Sequence, residues 1–329
     1  MSQISSSQMI NSLDYSIVIP IFNEEDTILE LWKQLNEVLH QITGSKEVIF
    51  TNDGSQDSSL DLLLKLRSEF PEIKIINFSR NFGHQSALSA GLDYANGKAI
   101  ILMDGDLQDS PRTILKFVEK WKEGYDVVYS IRTKRKENLL KRLAFKTFYR
   151  VQKFLSEVEI PLDAGIFSLL DRKVVLAIRS MPERNRYLSG LRAYSGFKQV
   201  GITVERGARF SGEPRVSLRK LFRLAFDGIF AFSTVPLKIA TYLGITVSFF
   251  SLLIALVGLL SKFVFGVRLL GWDYGLTSTF FLGGVQLVFL GILGEYIARI
   301  YEEVKHRPNY VIREMIGFDN ASGNKLIGY

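Results

Sequence analysis

The stretch Lys98–Asp109, KAIILMDGDLQD, decides how the chain around it is read. Ala99–Met103 is a short apolar run with the length and bounding of a buried strand. It breaks into Asp104, Gly105 and Asp106, with Gln108 and Asp109 just behind. Residues two apart in an extended segment point to the same side, so Asp104 and Asp106 converge on a point beyond the strand's carboxyl end. Two carboxylates there make a hard-oxygen site suited to Mg2+ or Mn2+, with room left for substrate phosphates. The glycine between them lets a ligand approach the backbone closely. Taken alone, Asp-Gly is equally a common turn, and the flanking chain has to decide between the two.

Upstream, Tyr15–Pro20, Glu47–Thr51 and Lys74–Phe78 are strand-like, and Asp126–Ser130 follows downstream. Between them lie helical patterns: Ile28, Leu31, Trp32, Leu35 and Leu39; then Leu62, Leu63 and Leu66; then His84–Ala95; and a helix opening at Ser110-Pro111. Strands alternating with helices of this length imply right-handed crossovers and a mostly parallel, Rossmann-like α/β sheet. In such sheets ligands bind beyond the carboxyl ends of the strands. Asn23-Glu24, Asp53-Gly54-Ser55 and Asp104-Gly105-Asp106 all fall at those ends. Each alone is a loop; three on one rim are a site. Neither GxGxxG nor GxxxxGK[ST] occurs, which leaves a carboxylate-and-metal hold on a diphosphate.

The rest of the composition is segregated. The chain has 329 residues, 47% hydrophobic and 23% charged, yet 239–261 and 274–294 hold no charge at all. A helix needs roughly 20 apolar residues to cross a bilayer, and both runs are long enough. Two buried core helices are the plain alternative. Arg219, Lys220 and Arg223 precede the first run, and Arg299, Lys305 and Arg307 follow the second. The positive-inside rule then places both ends in the cytoplasm, with Lys262 and Arg268 in the connecting loop opposing it. Leu218, Leu221, Phe222, Ala225, Ile229 and Phe232 form one face of 215–232, and Arg215, Arg219 and Arg223 another, as in a basic amphipathic helix lying among headgroups. Gly283, Gly284, Gly291 and Gly294 permit close helix contact in an oligomer.

Residues 132–153 carry nine cations against Glu137 alone. A solvated surface accounts for such a run, but beside membrane helices it has a use. Anionic headgroups attract Lys and Arg by ~1 kcal/mol each, and a lipid phosphate needs cations to hold it. Nucleic acid is disfavoured, because the stacking aromatics of single-strand binding are sparse there. Residues 1–13 are polar and serine-rich, read as a disordered tail with no signal peptide. The absence of cysteine excludes disulfides and thiolate metal sites.

IPIFNEE at 19–25, NDGS at 52–55, FSRNFGHQSAL at 78–88 and DGDLQD at 104–109 together resemble family 2 glycosyltransferases of the nucleotide-diphospho-sugar transferase (GT-A) fold. More narrowly, they resemble the dolichol-phosphate mannose synthase branch, whose bacterial members glycosylate polyprenyl phosphate. The resemblance runs from about residue 15 to 300. It implies that Pro20, Phe22, Glu24 and Asp53 bind the nucleoside, Asp104 and Asp106 are the DxD metal pair with Gly105 between them, and Gln108 assists. Asn52 stands where the family usually has a first aspartate. Arg132 and Arg142 align with arginines of the acceptor loop. Asp163, in a DAG signature, is a candidate general base or acceptor-orienting carboxylate, and Pro182–Gly190 matches a loop near the acceptor. Arg209 and Arg215 match a stretch that closes over the donor diphosphate.

The expected organisation is a tail (1–13), a GT-A catalytic domain (14–212), amphipathic juxtamembrane helices (213–236), two transmembrane helices (237–300) and a cytoplasmic tail (301–329), in which no signal is legible after Pro308. The expected function is inverting transfer of a hexose, glucose by the resemblance, from a UDP-sugar to polyprenyl phosphate. It is expected at the cytoplasmic face of the inner membrane, by a multi-pass homo-oligomer using Mg2+ or Mn2+. A processive polysaccharide synthase and a catalytically silent nucleotide-sugar-binding scaffold are the alternatives. No QxxRW motif supports the first, and the intact carboxylate pair opposes the second.

Overall fold

The structure is a computed structural model that describes residues 13–132, 164–181, 183–184, 186–204, 235–266, 272–318 and 327–328. It divides into two compact units, one of 1–143, 158–217 and 306–329 and the other of 144–157 and 218–305.

The first unit is built on one sheet. Its strands β1 (Tyr15–Ile21), β2 (Lys46–Asn52), β3 (Ile73–Phe78) and β4 (Ala99–Leu102) alternate with helices α1 (Ile28–Leu39), α2 (Ser59–Glu69) and α3 (His84–Tyr94). β1 pairs in parallel with β2 and β4, and β2 with β3, so four strand exits reach one rim. Helix α4 (Thr113–Lys122) leads to β5 (Val127–Arg132); β6 (Ala164–Asp171), α5 (Arg172–Arg179), α6 (Leu188–Tyr194) and β7 (Gln199–Val204) follow. β6 lies antiparallel between β4 and β5, and β7 is parallel to β5. At the other side β8 (Tyr310–Ile316) runs antiparallel to β3 and carries β9 (Ile327–Gly328). The order is β7-β5-β6-β4-β1-β2-β3-β8-β9. Among the described residues, four strands thus lie beyond the series read from the sequence, one pair after β5 and one after Pro308.

Every residue of β1 is buried, as expected of a parallel strand covered on both faces. The α1 residues Ile28, Leu31, Trp32, Leu35 and Leu39 are buried at the predicted spacing. In α2, Leu63 and Leu66 are buried, while Leu62 is half-buried against the same core. The helix expected at Ser110-Pro111 begins two residues later, because the Ser110 and Pro111 carbonyls first close a turn onto the Thr113 and Ile114 N–H groups.

The second unit contains α7 (Val235–Phe265) and α8 (Trp272–Val304). Within them, Leu237–Gly258 and Ser278–Val304 have mean hydropathies of 2.1 and 1.7, and both are long and apolar enough to cross a membrane. A core helix of a soluble protein would bury its large apolar side chains. Here Phe263 is 81% exposed, Phe280 74% and Leu252 72%, a surface that calls for a non-aqueous neighbour. Arg299 pairs with Glu295 one turn back, Nη2 to Oε1 at 3.0 Å, as its spacing predicts. The expected amphipathic helix at 215–232 and the basic run beyond Arg132 lie outside the described residues.

Candidate active site

The site begins with two loops, one leaving β1 and one leaving β2, that hold each other. Asn23 has a left-handed backbone (φ 52°), which asparagine tolerates better than most residues. Its N–H donates to Ser55 Oγ at 3.0 Å, and its Oδ1 accepts from Gln56 N at 2.8 Å. Glu24 N donates to Ser59 Oγ (2.9 Å), and Ser58 N donates to Glu25 Oε2 (2.9 Å). Asn52 is buried, donating to Asn77 Oδ1 at 2.9 Å and accepting from Ser55 N at 3.3 Å. It therefore ties β2 to β3 and closes the NDGS turn. Gly54 is left-handed too (φ 68°), and a Cβ there would lie 2.5 Å from the Arg80 carbonyl carbon. Only glycine lets the NDGS turn rest on the loop that leaves β3.

That contact places Asp53. Its carboxyl group is buried, with Oδ1 accepting from Phe82 N at 2.7 Å and Oδ2 from Gly83 N at 3.0 Å. Burial pushes its pKa above the ordinary value. The two N–H bonds and the charges of His84 and Arg80 oppose that rise without cancelling it.

At the exit of β4 the chain makes the turn that carries Asp104 and Asp106. Leu107 adopts a left-handed backbone (φ 57°), and Gln108 N donates to Asp106 Oδ1 at 3.2 Å, an Asx-type turn. A Cβ on Gly105 would come within 2.8 Å of Ile21 Cδ1 and 3.1 Å of the Pro20 carbonyl oxygen. The glycine thus seats this turn against the end of β1, a packing role added to the ligand access expected of it. Thr27 Oγ1 fastens it by donating to the Gly105 carbonyl at 3.3 Å.

His84, the first residue of α3, places Nε2 2.9 Å from Asp104 Oδ1. Burial pulls the imidazole pKa down. The hydrogen bond to Asp104 and the charges of Asp104, Asp53 and Asp106 outweigh that and hold it above its ordinary value. Removing the Asp104 charge should therefore lower it. In histidine-labelled protein, the NMR titration midpoint of His84 is expected above 6.5 in the wild type and lower in Asp104→Asn. Equal midpoints would mean that the ring and the carboxylate are not paired in solution.

These groups line one cleft of about 340 Å3. Pro20, Phe22, Glu24 and Asp53 stand with Asp104, Gly105 and Asp106 in its wall, together with Asn81, Gly83 and His84. The sequence singled out the first seven; His84 escaped it, although it lies inside FSRNFGHQSAL at a strand-to-helix junction. Gln108 is not among the lining residues and meets the pair through its backbone N–H. Arg132 closes β5, while Arg142, Asp163, Arg209 and Arg215 lie outside the described residues. In the 182–190 stretch, Arg186 is buried, donating to the Ile178 carbonyl at 2.9 Å with Nη1 3.8 Å from Asp93 Oδ1. Those bonds tie it to the fold.

Among the described residues, no three histidine or carboxylate side chains gather as a self-sufficient metal site. Two carboxylates flanking one glycine in a cleft wall nevertheless suit Mg2+ or a similar ion, which is commonly held by one or two carboxylates plus substrate phosphates.

The model of glycosyl transferase family 2 matches residues 16–179. YkcC, an uncharacterized glycosyltransferase of Bacillus subtilis, is 43% identical over 313 residues, covering 95% of this chain and 97% of that protein. A bactoprenol glucosyl transferase of Shigella phage SfV is 39% identical over 299 residues, covering 91% of this chain and 97% of that one. Among solved structures, glucosyl-3-phosphoglycerate synthase from Mycobacterium tuberculosis, in complex with Mn2+, UDP and glucosyl-3-phosphoglycerate, is 18% identical. It covers 66% of this chain and 78% of its own, with a TM-score of 0.47. Because the likeness to both sequence relatives runs nearly end to end, and the family model spans the strands whose exits build the cleft, the chain belongs to glycosyl transferase family 2.

Proposed function

We propose that this protein is a membrane-anchored, inverting glycosyltransferase that moves glucose from UDP-glucose to polyprenyl phosphate. One observation carries the reading. The carboxylate pair and the four nucleoside-binding candidates line a single cleft, in a chain 39% identical to a bactoprenol glucosyl transferase over nearly all of both.

In this reading Pro20, Phe22, Glu24 and Asp53 receive the nucleoside. Asp104 and Asp106, with Gln108 behind them, hold a divalent cation, Mg2+ or Mn2+. When bound, the ion offsets the charge that develops on the departing diphosphate. Arg209 and Arg215 contact that diphosphate, and Arg132 and Arg142 hold the acceptor phosphate. An oxygen of the acceptor phosphate attacks the anomeric carbon in line. The bond from that carbon to the UDP oxygen breaks, and UDP leaves with the electron pair. A phosphate monoester is largely ionised at neutral pH, so Asp163 serves to orient the acceptor more than to take a proton. Holding both reactants at one site supplies proximity.

In the same reading α7 and α8 cross the inner membrane, with the catalytic domain (14–212, its sheet completed by β8 and β9) and both termini in the cytoplasm. Connectivity supports two crossings: the strands before α7 and β8 after α8 share one sheet, and an even number of crossings returns the chain to its starting side. The juxtamembrane segment 213–236 lies among the headgroups. A homo-oligomer would cover the face of α8 that carries Gly283, Gly284, Gly291 and Gly294, where an added Cβ would meet nothing within 4 Å.

Purified protein with polyprenyl phosphate, Mn2+ and radiolabelled UDP-glucose, UDP-GlcNAc or GDP-mannose tests the reading. Label from UDP-glucose alone is expected in the organic phase. Label from another donor instead would overturn the sugar assignment, and UDP binding without any transfer would favour a silent scaffold.

A further inference from the structure

We propose that Tyr310 is a positioning residue for the donor site, and that the strand it opens clasps the β3–α3 loop in the shape that holds Asp53. The inference rests on the donor reading above.

β8 begins at the rim where that loop leaves the sheet. The β3–β8 pairing runs from Ile75 opposite Ile316 to Phe78 opposite Ile312, with a register shift at Asn77 and Phe78. Ser79, the first loop residue, has both of its backbone groups taken by β8. Its N–H donates to the Val311 carbonyl at 3.0 Å, and its carbonyl accepts from Arg313 Nη2 at 3.2 Å.

Rings continue the connection. Tyr310 is 2% exposed and stacks on Phe78, with centroids 5.1 Å apart and planes 10° from parallel. Phe78 in turn meets Phe82 edge-on at 5.7 Å, and the Phe82 N–H is one of the two that hold the Asp53 carboxylate. Ring pairs at these separations are favoured beyond the area they bury. The phenol also ties in the helix that follows the loop, by donating to Asp93 Oδ2 at 2.9 Å. Asp93 belongs to α3, the helix that begins with His84. Burial and the Asp93 charge raise the phenol pKa far above its ordinary value, so it stays a neutral donor. One side chain therefore fixes the loop through Phe78 and the helix through Asp93. A core tyrosine with no such role would support the fold and nothing else, and donor affinity separates the two cases.

The test uses full-length protein in detergent, calorimetric titration with UDP in Mn2+, and steady-state transfer. In Tyr310→Ala, which removes both the stack and the phenol, the UDP Kd and the donor KM are expected to rise about fivefold. The acceptor KM and kcat should stay close to wild type. Equal UDP affinity in a folded Tyr310→Ala variant, or a fall in kcat with donor KM unchanged, overturns the positioning role. Should Tyr310→Ala not fold, Tyr310→Phe keeps the stack and removes only the bond to Asp93. Its UDP Kd should at least double, and an unchanged Kd overturns the proposal. Failure of the wild type to bind UDP overturns the donor reading itself, and this inference with it.

Discussion

Replacing Asp104 or Asp106 by asparagine is expected to lower glucosyl transfer by roughly a hundredfold to a thousandfold, the usual cost of removing one preorganised electrostatic stabiliser. Asparagine is the decisive substitution because it changes charge and little else. At 104 its carbonyl oxygen can still accept from His84, and at 106 it can still accept from Gln108 N, as the wild-type oxygens do. The Gly105 backbone, packed on Ile21 and the Pro20 carbonyl, feels neither change. The unfolding midpoint should therefore hold while activity falls and the Mn2+ concentration needed for half-maximal rate rises. Transfer within a few-fold of wild type in both variants would remove the carboxylate pair from the mechanism. A large fall together with a lowered midpoint would instead mark the turn as a structural knot.

The parts of this arrangement that were legible in the sequence share a physical origin. Ile28, Leu31, Trp32, Leu35 and Leu39 announce α1 because burial on one face imposes a 3.6-residue period. The runs before Asn23, Asp53 and Asp104 announce buried parallel strands because both of their faces are covered. The rim follows once the strands are known to be parallel, and the three acidic turns follow from the rim. What escaped was non-local. β6 pairs with β4 through Ala99 opposite Asp171, and β8 with β3 through Ile75 opposite Ile316, and no local period records a partner so far along the chain. β8 is the harder of the two to read, because only Tyr310 and Ile312 of Tyr310–Ile316 are buried, and the exposed Arg313 and Glu314 break the alternation that would mark a strand. His84 was missed for another reason. A histidine at the start of a helix has no signature of its own, and only the folded chain brings it to Asp104. Asn52 stands at an aspartate's place, and its amide both donates to Asn77 Oδ1 and accepts from Ser55 N, whereas a carboxylate there could only accept.

The same loop geometry sets the second large effect. Asp53→Asn is expected to weaken UDP binding roughly tenfold to a hundredfold, the range for losing a hydrogen bond to a charged group. A carboxylate accepts from Phe82 N and Gly83 N at once. An amide can accept from only one of them and turns an NH2 toward the other. The loop must give way at Gly83, and Asn81, Gly83 and His84, all in the cleft wall, move with it. Stability and binding should then part company. Burial holds the Asp53 pKa above its ordinary value, so the ionised carboxylate is a cost to the fold that asparagine removes, offsetting part of what the lost bond contributes. Donor affinity gains nothing from that relief. The sign in pH follows from the same shift. With a raised pKa, protonation sets in at a higher pH than for an ordinary carboxylate, and the added proton converts one acceptor oxygen into a donor facing an N–H. UDP affinity should therefore fall on acidification in the wild type earlier than an unshifted aspartate would allow. That component should vanish from the difference between wild type and Asp53→Asn, measured by calorimetry in matched Mn2+ buffers. Equal affinities at every pH would show that Asp53 contributes neither its charge nor its hydrogen bonds to the donor.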